Sequence, residues 1–324
     1  MAARPVQPAR RRLAVREGWV VLPTGTRIRY RRVGEGEPVV LVHGLADACE
    51  PWPRVMIPLA HRYDVVALDL PGCGLSDKPE TDYSLGSQAT ALRFFLDALG
   101  LRFVNLVGHS LGGGVAMSFA YQYPERVGRL ALISSGGLGR ELHPMFRLAN
   151  LPFAGQLGMR VIFNRWLRPI RNYALRRFAR SGHDPITARG GAYSQEVEHL
   201  LDALEEPNSQ RAFSAMLSSA SNVAGQAISA LDRLPLARFP LLLVWGRDDA
   251  IFPVAHATRA AELVPGSKLV IIDDCGHMPQ LEAAPVLIAA LESWLTDTRP
   301  VRIRLKARTQ PGSGTTQLEL AAGS

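Results

Sequence analysis

Short, predominantly apolar runs alternate with helical patterns along most of this chain. The helical patterns cover 85–99, 115–123 and 286–295. The apolar runs have the length and composition of strands buried on both faces, and they occupy 39–42, 65–70, 104–107, 130–133, 241–245 and 269–272. Strands that alternate with helices at this spacing are joined by right-handed crossovers, so the sequence predicts an α/β protein with a mostly parallel, doubly wound sheet.

The alternation breaks between about residues 137 and 234, where only helical patterning is visible. We therefore predict a core built from 17–136 and 235–298, with a helical insertion at 137–234. The two ends, 1–16 and 299–324, are rich in arginine, proline, glycine and serine and are predicted to be basic, flexible tails.

Charge is concentrated in three segments of the chain. The 324 residues are 47% hydrophobic and 20% charged, which supports a large core and excludes wholesale disorder. Five arginines lie in 1–16, nine in 140–180, and four with one lysine in 299–324, within a net charge of +8. Such segments can attract nucleic acid, anionic lipid or anionic substrates. Because no helix-turn-helix, zinc-finger or RNP-type pattern accompanies them, we expect no nucleic-acid partner.

Metal and membrane signals are weak. The 3 cysteines and 8 histidines have no metal-ligand spacing, so neither a metal nor a cofactor is predicted. Two stretches without charged residues, 103–124 and 212–231, are too polar for a membrane-spanning helix. The basic N-terminus lacks the apolar region of a secretory signal, and a cytoplasmic protein is expected.

The densest chemical signal is Gly108-His109-Ser110-Leu111-Gly112, which matches G-x-S-x-G between a buried strand and an amphipathic helix. In that context the serine occupies a sharp turn, and the glycines on either side let the strand and helix pass without Cβ clashes. The serine oxygen then lies at a helix N-terminus, where the dipole and free N–H groups favour developing negative charge. The pattern predicts a nucleophilic Ser110; the alternative is a helix start that happens to be rich in glycine and serine.

A nucleophilic serine needs a base, and the base needs an acid to orient it. His277 lies in the loop after the last apolar run and is the predicted base. His109 is directed away from the serine within the turn, and His43 directly follows a strand, where a structural role is expected. The predicted acid follows the apolar run 241–245 and is Asp248 or Asp249, so the chain order is Ser, Asp, His.

A second motif, His43-Gly44-Leu45, follows the first apolar run. At this position the amide of Leu45 would give one N–H to an oxyanion and the amide of Leu111 would give the other. The candidates for a substrate pocket are His43, Gly44, Trp52, Met117 and Met278, for which ordinary packing is the competing interpretation.

Four blocks of sequence occur in the order typical of one large superfamily. They are His43-Gly44, the segment 69–76 (DLPGCGLS), the segment 108–113 (GHSLGG), and the segment 246–249 (GRDD) with Gly276-His277. With these blocks, residues 19–297 resemble the α/β-hydrolase superfamily, of the lid-bearing type that includes esterases, lipases and carbon–carbon bond hydrolases.

The resemblance implies the α/β-hydrolase fold, with an eight-stranded, mostly parallel sheet and a helical cap, or lid, at 137–234 after the sixth strand. It also implies that Asp249, the fourth residue of its block, is the acid, with Asp248 as the alternative. The segment 69–76 is implied to be a structural turn that shapes the entrance to the site.

The same resemblance limits the classes of reaction that the chain is expected to catalyse. Epoxide hydrolases and haloalkane dehalogenases of this fold have aspartate where this chain has Ser110. The carbon–carbon hydrolases typically have Gly-Asn-Ser at the turn and tryptophan after the catalytic histidine, whereas this chain has His109 and Met278. We therefore expect a serine esterase or small lipase, in which Ser110 attacks an ester carbonyl, His277 takes its proton and water releases the acid.

The sequence is also compatible with other functions. The protein could be a carbon–carbon hydrolase, a lyase or an acyltransferase that uses the same triad, or a non-catalytic protein of this fold that binds a small molecule. The expected partner is a small acyl ester, and the expected state is a monomer or homodimer. The uncharged segment 148–159 is followed by an arginine-rich segment that extends to residue 180. This pattern indicates either a solvated lid or peripheral contact with an anionic membrane.

Overall fold

A computed structural model of the protein describes residues 13–151, 204–309 and 316–322, with positions 158, 161, 164–170, 173 and 202 between them.

The described chain is organised around one eight-stranded sheet, which confirms the predicted fold class. Its strands are β1 (Arg16–Val21), β2 (Arg27–Val33), β3 (Glu37–Val42), β4 (Tyr63–Leu68), β5 (Val104–His109), β6 (Val127–Ile133), β9 (Leu241–Gly246) and β10 (Lys268–Ile272), numbered with the short β7 and β8 given below. Their spatial order is β1-β2-β4-β3-β5-β6-β9-β10. The pairs β1–β2 and β2–β4 are antiparallel, and all the other neighbours are parallel.

Helices cover both faces of this sheet. Those with described bounds are α1 (Pro53–Leu59), α2 (Leu85–Ala98), α3 (Leu111–Gln122), α4 (Pro144–Ala149), α5 (Pro207–Ala220), α6 (Ala255–Leu263), α7 (Pro279–Glu282) and α8 (Ala284–Asp297). One core cluster joins α2, α3, α5 and α6 to one face of the sheet, and a second joins α1 and α8 to the other.

The central strands are mostly apolar because both of their faces are covered. In β3, Val40 and Val42 enter the first cluster while Val39 and Leu41 enter the second, and all four are fully buried. Burying each such side chain stabilises the fold by about 1.5–3 kcal/mol relative to leaving it exposed. The continuous apolar runs in the sequence are therefore the direct consequence of a two-sided core.

The parallel arrangement brings the carboxyl ends of the central strands to one edge of the sheet. Neighbouring strands are in register there, since Val42 of β3 lies beside Gly108 of β5, and Gly108 lies beside Leu132 of β6. The loops after β3, β5, β9 and β10 consequently leave the same edge, which is where ligands bind in open α/β sheets.

The long insertion between β6 and β9 has its two ends tied together. Gly137 N donates to Gln226 Oε1 at 2.6 Å, and Ala230 N donates to Gly137 O at 2.7 Å. The insertion contains α4, α5 and a two-residue ladder of β7 (Ser221–Asn222) with β8 (Gly225–Gln226). The boundaries of the cap at 137 and 234 stay a prediction.

The C-terminal segment, 299–324, which we predict to be a basic, flexible tail, contains two strands. Its backbone forms an antiparallel pair of β11 (Ile303–Thr309) and β12 (Thr316–Ala322), separate from the main sheet. Apolar and basic residues alternate along 301–308, which is a strand pattern that the basic composition of the segment obscured. Among the residues that the structure describes, no helix has the length and apolar character needed to cross a bilayer.

Candidate active site

The turn between β5 and α3 holds Ser110 in a strained backbone conformation. Its φ is 53° and its ψ is −121°, a region that non-glycine residues rarely occupy. The two flanking glycines are required by close packing, because a Cβ on Gly108 would lie 2.5 Å from Gly112 O and one on Gly112 would lie 2.3 Å from His43 O. The turn therefore presents the serine oxygen at the start of α3, as the motif predicts.

The structure brings the three predicted catalytic side chains together at this edge of the sheet. Ser110 Oγ lies 2.9 Å from His277 Nε2, and His277 Nδ1 lies 2.9 Å from Asp249 Oδ2. All three residues are buried, although they are 167 and 28 residues apart along the chain. The carboxylate accepts the Nδ1–H, so Nε2 is the nitrogen free to accept the serine proton.

The two aspartates after β9 have different surroundings. Asp249 is buried, and its Oδ1 accepts hydrogen bonds from Ile251 N at 2.9 Å and Phe252 N at 3.0 Å. Asp248 is exposed, and its backbone N–H donates to Cys275 O. Only Asp249 of the two is hydrogen-bonded to the histidine, as the resemblance implied.

The loop that carries His277 is fixed by the carboxylate of Glu282, a residue that no sequence motif singles out. Glu282 Oε2 accepts from Gly276 N at 2.9 Å, and Glu282 Oε1 accepts from Met278 N at 3.0 Å. The backbone is thus held immediately before and after His277. Phe252 packs edge-on against the imidazole, with ring centroids 5.4 Å apart, and was also not predicted.

His109 faces away from the serine, as we expected, and contacts the His277 loop instead. Its Nε2 lies 2.8 Å from His277 O, and its Nδ1 lies 3.3 Å from Gln280 Nε2. Burial, with the nearby His277 as a second cause, lowers the pKa of His109 to about 3. Since both ring nitrogens are engaged away from Ser110, His109 is not placed to act as its base.

The loop after β3 packs directly on the serine turn. A Cβ on Gly44 would lie 3.0 Å from Ser110 Cβ, which shows how closely the two backbones approach. His43 is fully buried; its Nε2 accepts from Leu70 N at 2.9 Å and its Nδ1 donates to Gly44 O at 2.8 Å. His43 therefore supports the loop that carries Leu45, and both of its ring nitrogens contact backbone groups.

The remaining pocket candidates lie in different environments. Trp52 is fully buried in the core cluster of α1 and α8, where its large side chain serves packing. Met117 is buried in α3 and reaches Gly137 at the start of the insertion, where an added Cβ would lie 3.1 Å from its Cε. Met278 is half-buried beside the catalytic loop. Their contact with a substrate stays a prediction.

Among the described residues, one group has the spacing of metal ligands: Cys49, Glu50 and Asp69. The buried guanidinium of Arg29 already occupies it, with Nη1 2.5 Å from Glu50 Oε1 and 3.3 Å from Asp69 Oδ2. Burial also raises the pKa of the Cys49 thiol, which disfavours the thiolate that a metal would need. Asp69 Oδ2 further accepts from Leu75 N at 2.9 Å, so this network holds the turn after β4 in shape.

Comparison with known proteins agrees with this geometry. The profile of a family described as having the alpha/beta hydrolase fold matches residues 37–284. An uncharacterized protein of Mycobacterium tuberculosis is 36% identical over 300 residues, which are 90% of this chain and 85% of that protein.

Two further similarities concern proteins with a stated activity. A 2-hydroxy-6-oxo-6-phenylhexa-2,4-dienoate hydrolase of Burkholderia cepacia is 30% identical over 271 residues, which are 80% of this chain and 87% of that protein. The crystal structure of a membrane phospholipase A, a bacterial virulence factor, superposes with a TM-score of 0.71 and 26% identity over 87% of this chain and 86% of that chain.

Proposed function

This chain belongs to the α/β-hydrolase fold family, and on that basis we propose that it is a serine hydrolase that cleaves a carboxylic ester. The observation that carries the proposal is the contact of Ser110 Oγ with His277 Nε2 at 2.9 Å, made from a backbone turn held at a φ of 53°. A strained serine in contact with a buried histidine is the arrangement that acyl transfer requires.

In the first half of the reaction, Ser110 Oγ attacks the ester carbonyl while His277 Nε2 takes its proton. The positive charge that develops on the imidazole is stabilised by the Asp249 carboxylate, which lies 2.9 Å from Nδ1. The protonated histidine then gives its proton to the leaving alcohol, and an acyl-enzyme on Ser110 results. Water activated by the same histidine releases the carboxylic acid and restores the serine.

The negative charge on the tetrahedral intermediate needs donors that are already in place. The amide of Leu111 is one, because it belongs to the first turn of α3, where N–H groups have no partner within the helix. The amide of Leu45 is the other, since its loop lies against the serine turn through Gly44. Such preorganised donors contribute about 3–4 kcal/mol of transition-state stabilisation in serine hydrolases.

Hydrolysis of a carbon–carbon bond is the second candidate, because the Burkholderia cepacia relative carries that activity at 30% identity. The same triad would serve both reactions. This chain departs from the sequence typical of those hydrolases at His109 and Met278, which lie beside the catalytic histidine. The two departures favour the ester reaction.

The test compares the wild type with Ser110→Ala, using a serine-directed fluorophosphonate probe and nitrophenyl esters of several acyl chain lengths. We expect the variant to lose labelling and at least about 10³-fold in kcat, with an unchanged thermal transition. Ser118→Ala is the matched control, because Ser118 lies in the same helix and its Oγ accepts from Gln122 Nε2 within that helix. Labelling that persists in Ser110→Ala would exclude this serine as the nucleophile.

The same protein is assayed with 2-hydroxy-6-oxo-6-phenylhexa-2,4-dienoate to separate the two candidates. Turnover of this compound at a kcat/KM above that of every ester would select carbon–carbon hydrolysis. Probe labelling without turnover of either substrate class would point to acyl transfer to an acceptor other than water.

A further inference from the structure

The imidazole of His109 lies between the two loops that build the reaction centre. Its Nε2 reaches His277 O at 2.8 Å, on the loop of the base. On its other side, a Cβ added to Gly44 would come within 3.2 Å of His109 Nδ1, on the loop that carries the oxyanion donor. Since His109 directly precedes Ser110, one side chain next to the nucleophile contacts both loops.

The direction of the hydrogen bonds follows from the chemistry of the partners. A carbonyl oxygen only accepts, so Nε2 of His109 must carry the proton that it shares with His277 O. The ring is neutral, because burial holds its pKa at about 3, and therefore Nδ1 is an acceptor. Gln280 Nε2 donates to it at 3.3 Å, which selects the tautomer with the proton on Nε2.

We propose that His109 is a positioning residue for the reaction centre, and that Gln280 fixes its tautomer so that its Nε2–H holds the backbone of His277. The inference rests on the proposed function, since it concerns how His277 is aligned with Ser110. Glu282 holds the backbone N–H groups on both sides of His277, and His109 holds the carbonyl of His277 itself.

The consequence concerns the rate of the chemical step rather than substrate binding. A buried carbonyl that loses its donor shifts to find another, and a small displacement of the base is costly in rate. Removal of the donor should therefore lower kcat by about ten- to a hundredfold, with KM within about twofold.

The experiment uses the full chain with the ester that the wild type turns over fastest. His109→Phe keeps a ring and removes both nitrogens, whereas His109→Gln offers an amide N–H at nearly the same reach as Nε2. Gln280→Met preserves the length of that side chain and removes its donor. For each variant, kcat, KM, the rate of fluorophosphonate labelling and the thermal transition are measured.

We expect His109→Phe to lose about ten- to a hundredfold in kcat and in labelling rate, and His109→Gln to recover most of both. Gln280→Met should lose less, and adding it to His109→Phe should cost nothing further, since the two residues act in one chain of hydrogen bonds. A lowered thermal transition with kcat unchanged would overturn the proposal, because His109 would then be structural only. A loss in His109→Phe as complete as in His277→Ala would also overturn it.

These outcomes are distinguishable from failure of the proposed function. If the wild type turned over no ester, the labelling rate of Ser110 would still report the alignment of His277. If the wild type did turn over esters and His109→Phe matched it in both measurements, only the positioning role would be refuted.

Discussion

Replacing Asp249 with asparagine exchanges one oxygen of the site for an amide nitrogen, and the hydrogen bonds of Asp249 determine how this changes the tautomer of His277. The Oδ1 position accepts from Ile251 N and Phe252 N, so the amide oxygen of the new side chain must take that place. The amide nitrogen then occupies the Oδ2 position, 2.9 Å from His277 Nδ1, while the amide oxygen lies 3.1 Å from the same nitrogen and already accepts from two backbone N–H groups. Because the amide N–H cannot face the Nδ1–H at the shorter distance, the imidazole is driven to the tautomer with its proton on Nε2.

In that tautomer Nε2 can no longer accept the proton of Ser110 Oγ, which lies 2.9 Å away. Removing the acid of a serine triad in this manner costs about 10⁴-fold in kcat, or about 5 kcal/mol of transition-state stabilisation. The fold should be little affected, because the amide oxygen keeps both backbone hydrogen bonds.

The matched control is Asp248→Asn, since Asp248 is adjacent and exposed and Asp249 is the aspartate hydrogen-bonded to the histidine. We expect Asp248→Asn to stay within about twofold of the wild type in kcat/KM for a nitrophenyl ester, with both variants melting near the wild-type temperature. The reasoning is refuted if Asp248→Asn is the more damaging of the two, or if Asp249→Asn retains more than about a tenth of the activity.

Three other predictions address stability, the chain ends and the cap. Burial raises the pKa of Asp47 from an ordinary 3.8 to about 6, so the folded state favours the protonated acid. The stability that this acid contributes is therefore fully present below about pH 4 and is lost as the pH rises through 6. Asp47→Asn should raise the free energy of unfolding by about 3 kcal/mol more at pH 8 than at pH 4, and equal effects in urea titrations at the two pH values would contradict this. Deleting 1–12 and 303–324 should leave turnover of a short ester within about twofold, because the main sheet begins at Arg16; a collapsed melting temperature would show that these ends pack on the core. Trp166 is 82% exposed in the arginine-rich insertion, so Trp166→Ser should reduce co-sedimentation with anionic vesicles at low salt, whereas equal recovery on neutral and anionic vesicles would rule out a lipid surface as its partner.

The strands of the sheet were predictable because strands that are buried on both faces consist mostly of consecutive apolar residues. Each apolar run that we interpreted as a parallel strand is one, with ends displaced by at most three residues; β4, for example, spans Tyr63–Leu68 where the pattern indicated 65–70. The strand pair at the C-terminus leaves a different signal. There apolar and basic residues alternate, and this alternation is less conspicuous than the basic composition of the segment.

The members of the triad were predictable for a different reason. A serine at φ 53° between a strand and a helix demands glycine at fixed offsets, and that demand leaves a local motif. The acid was ambiguous from the residues alone, because Asp248 and Asp249 follow the same strand. The structure separates them through the two backbone N–H groups that fix Asp249 Oδ1, and those contacts have no sequence signature.

The residues that sequence reasoning missed act through contacts that leave no local motif, some of them between residues far apart along the chain. From the sequence His109 is only an alternative base, and its contact with His277 O joins residues 168 positions apart. Gln280 and Glu282 follow His277 closely, but nothing in their spacing shows that one side chain turns to the serine loop and the other to the backbone beside the histidine. Contacts of this kind depend on which strands are neighbours in the sheet, and topology is not encoded locally.

The difference between residues with a local motif and contacts without one explains why the sequence indicates the class of reaction more readily than the substrate. The side chains that we propose as catalytic stand on loops whose backbone is constrained by strain and by close glycine contacts, so few residue types are tolerated there. The insertion between β6 and β9 meets the core through ordinary apolar packing. At Gly72, in the turn after β4, an added Cβ would lie 2.6 Å from Met216 and 2.9 Å from Ala212 of α5. Packing of that kind accepts many apolar residues of similar volume. If the insertion is the predicted cap, substrate choice can change in it without disturbing the proposed triad, and an ester hydrolase and a carbon–carbon hydrolase can share the same core geometry.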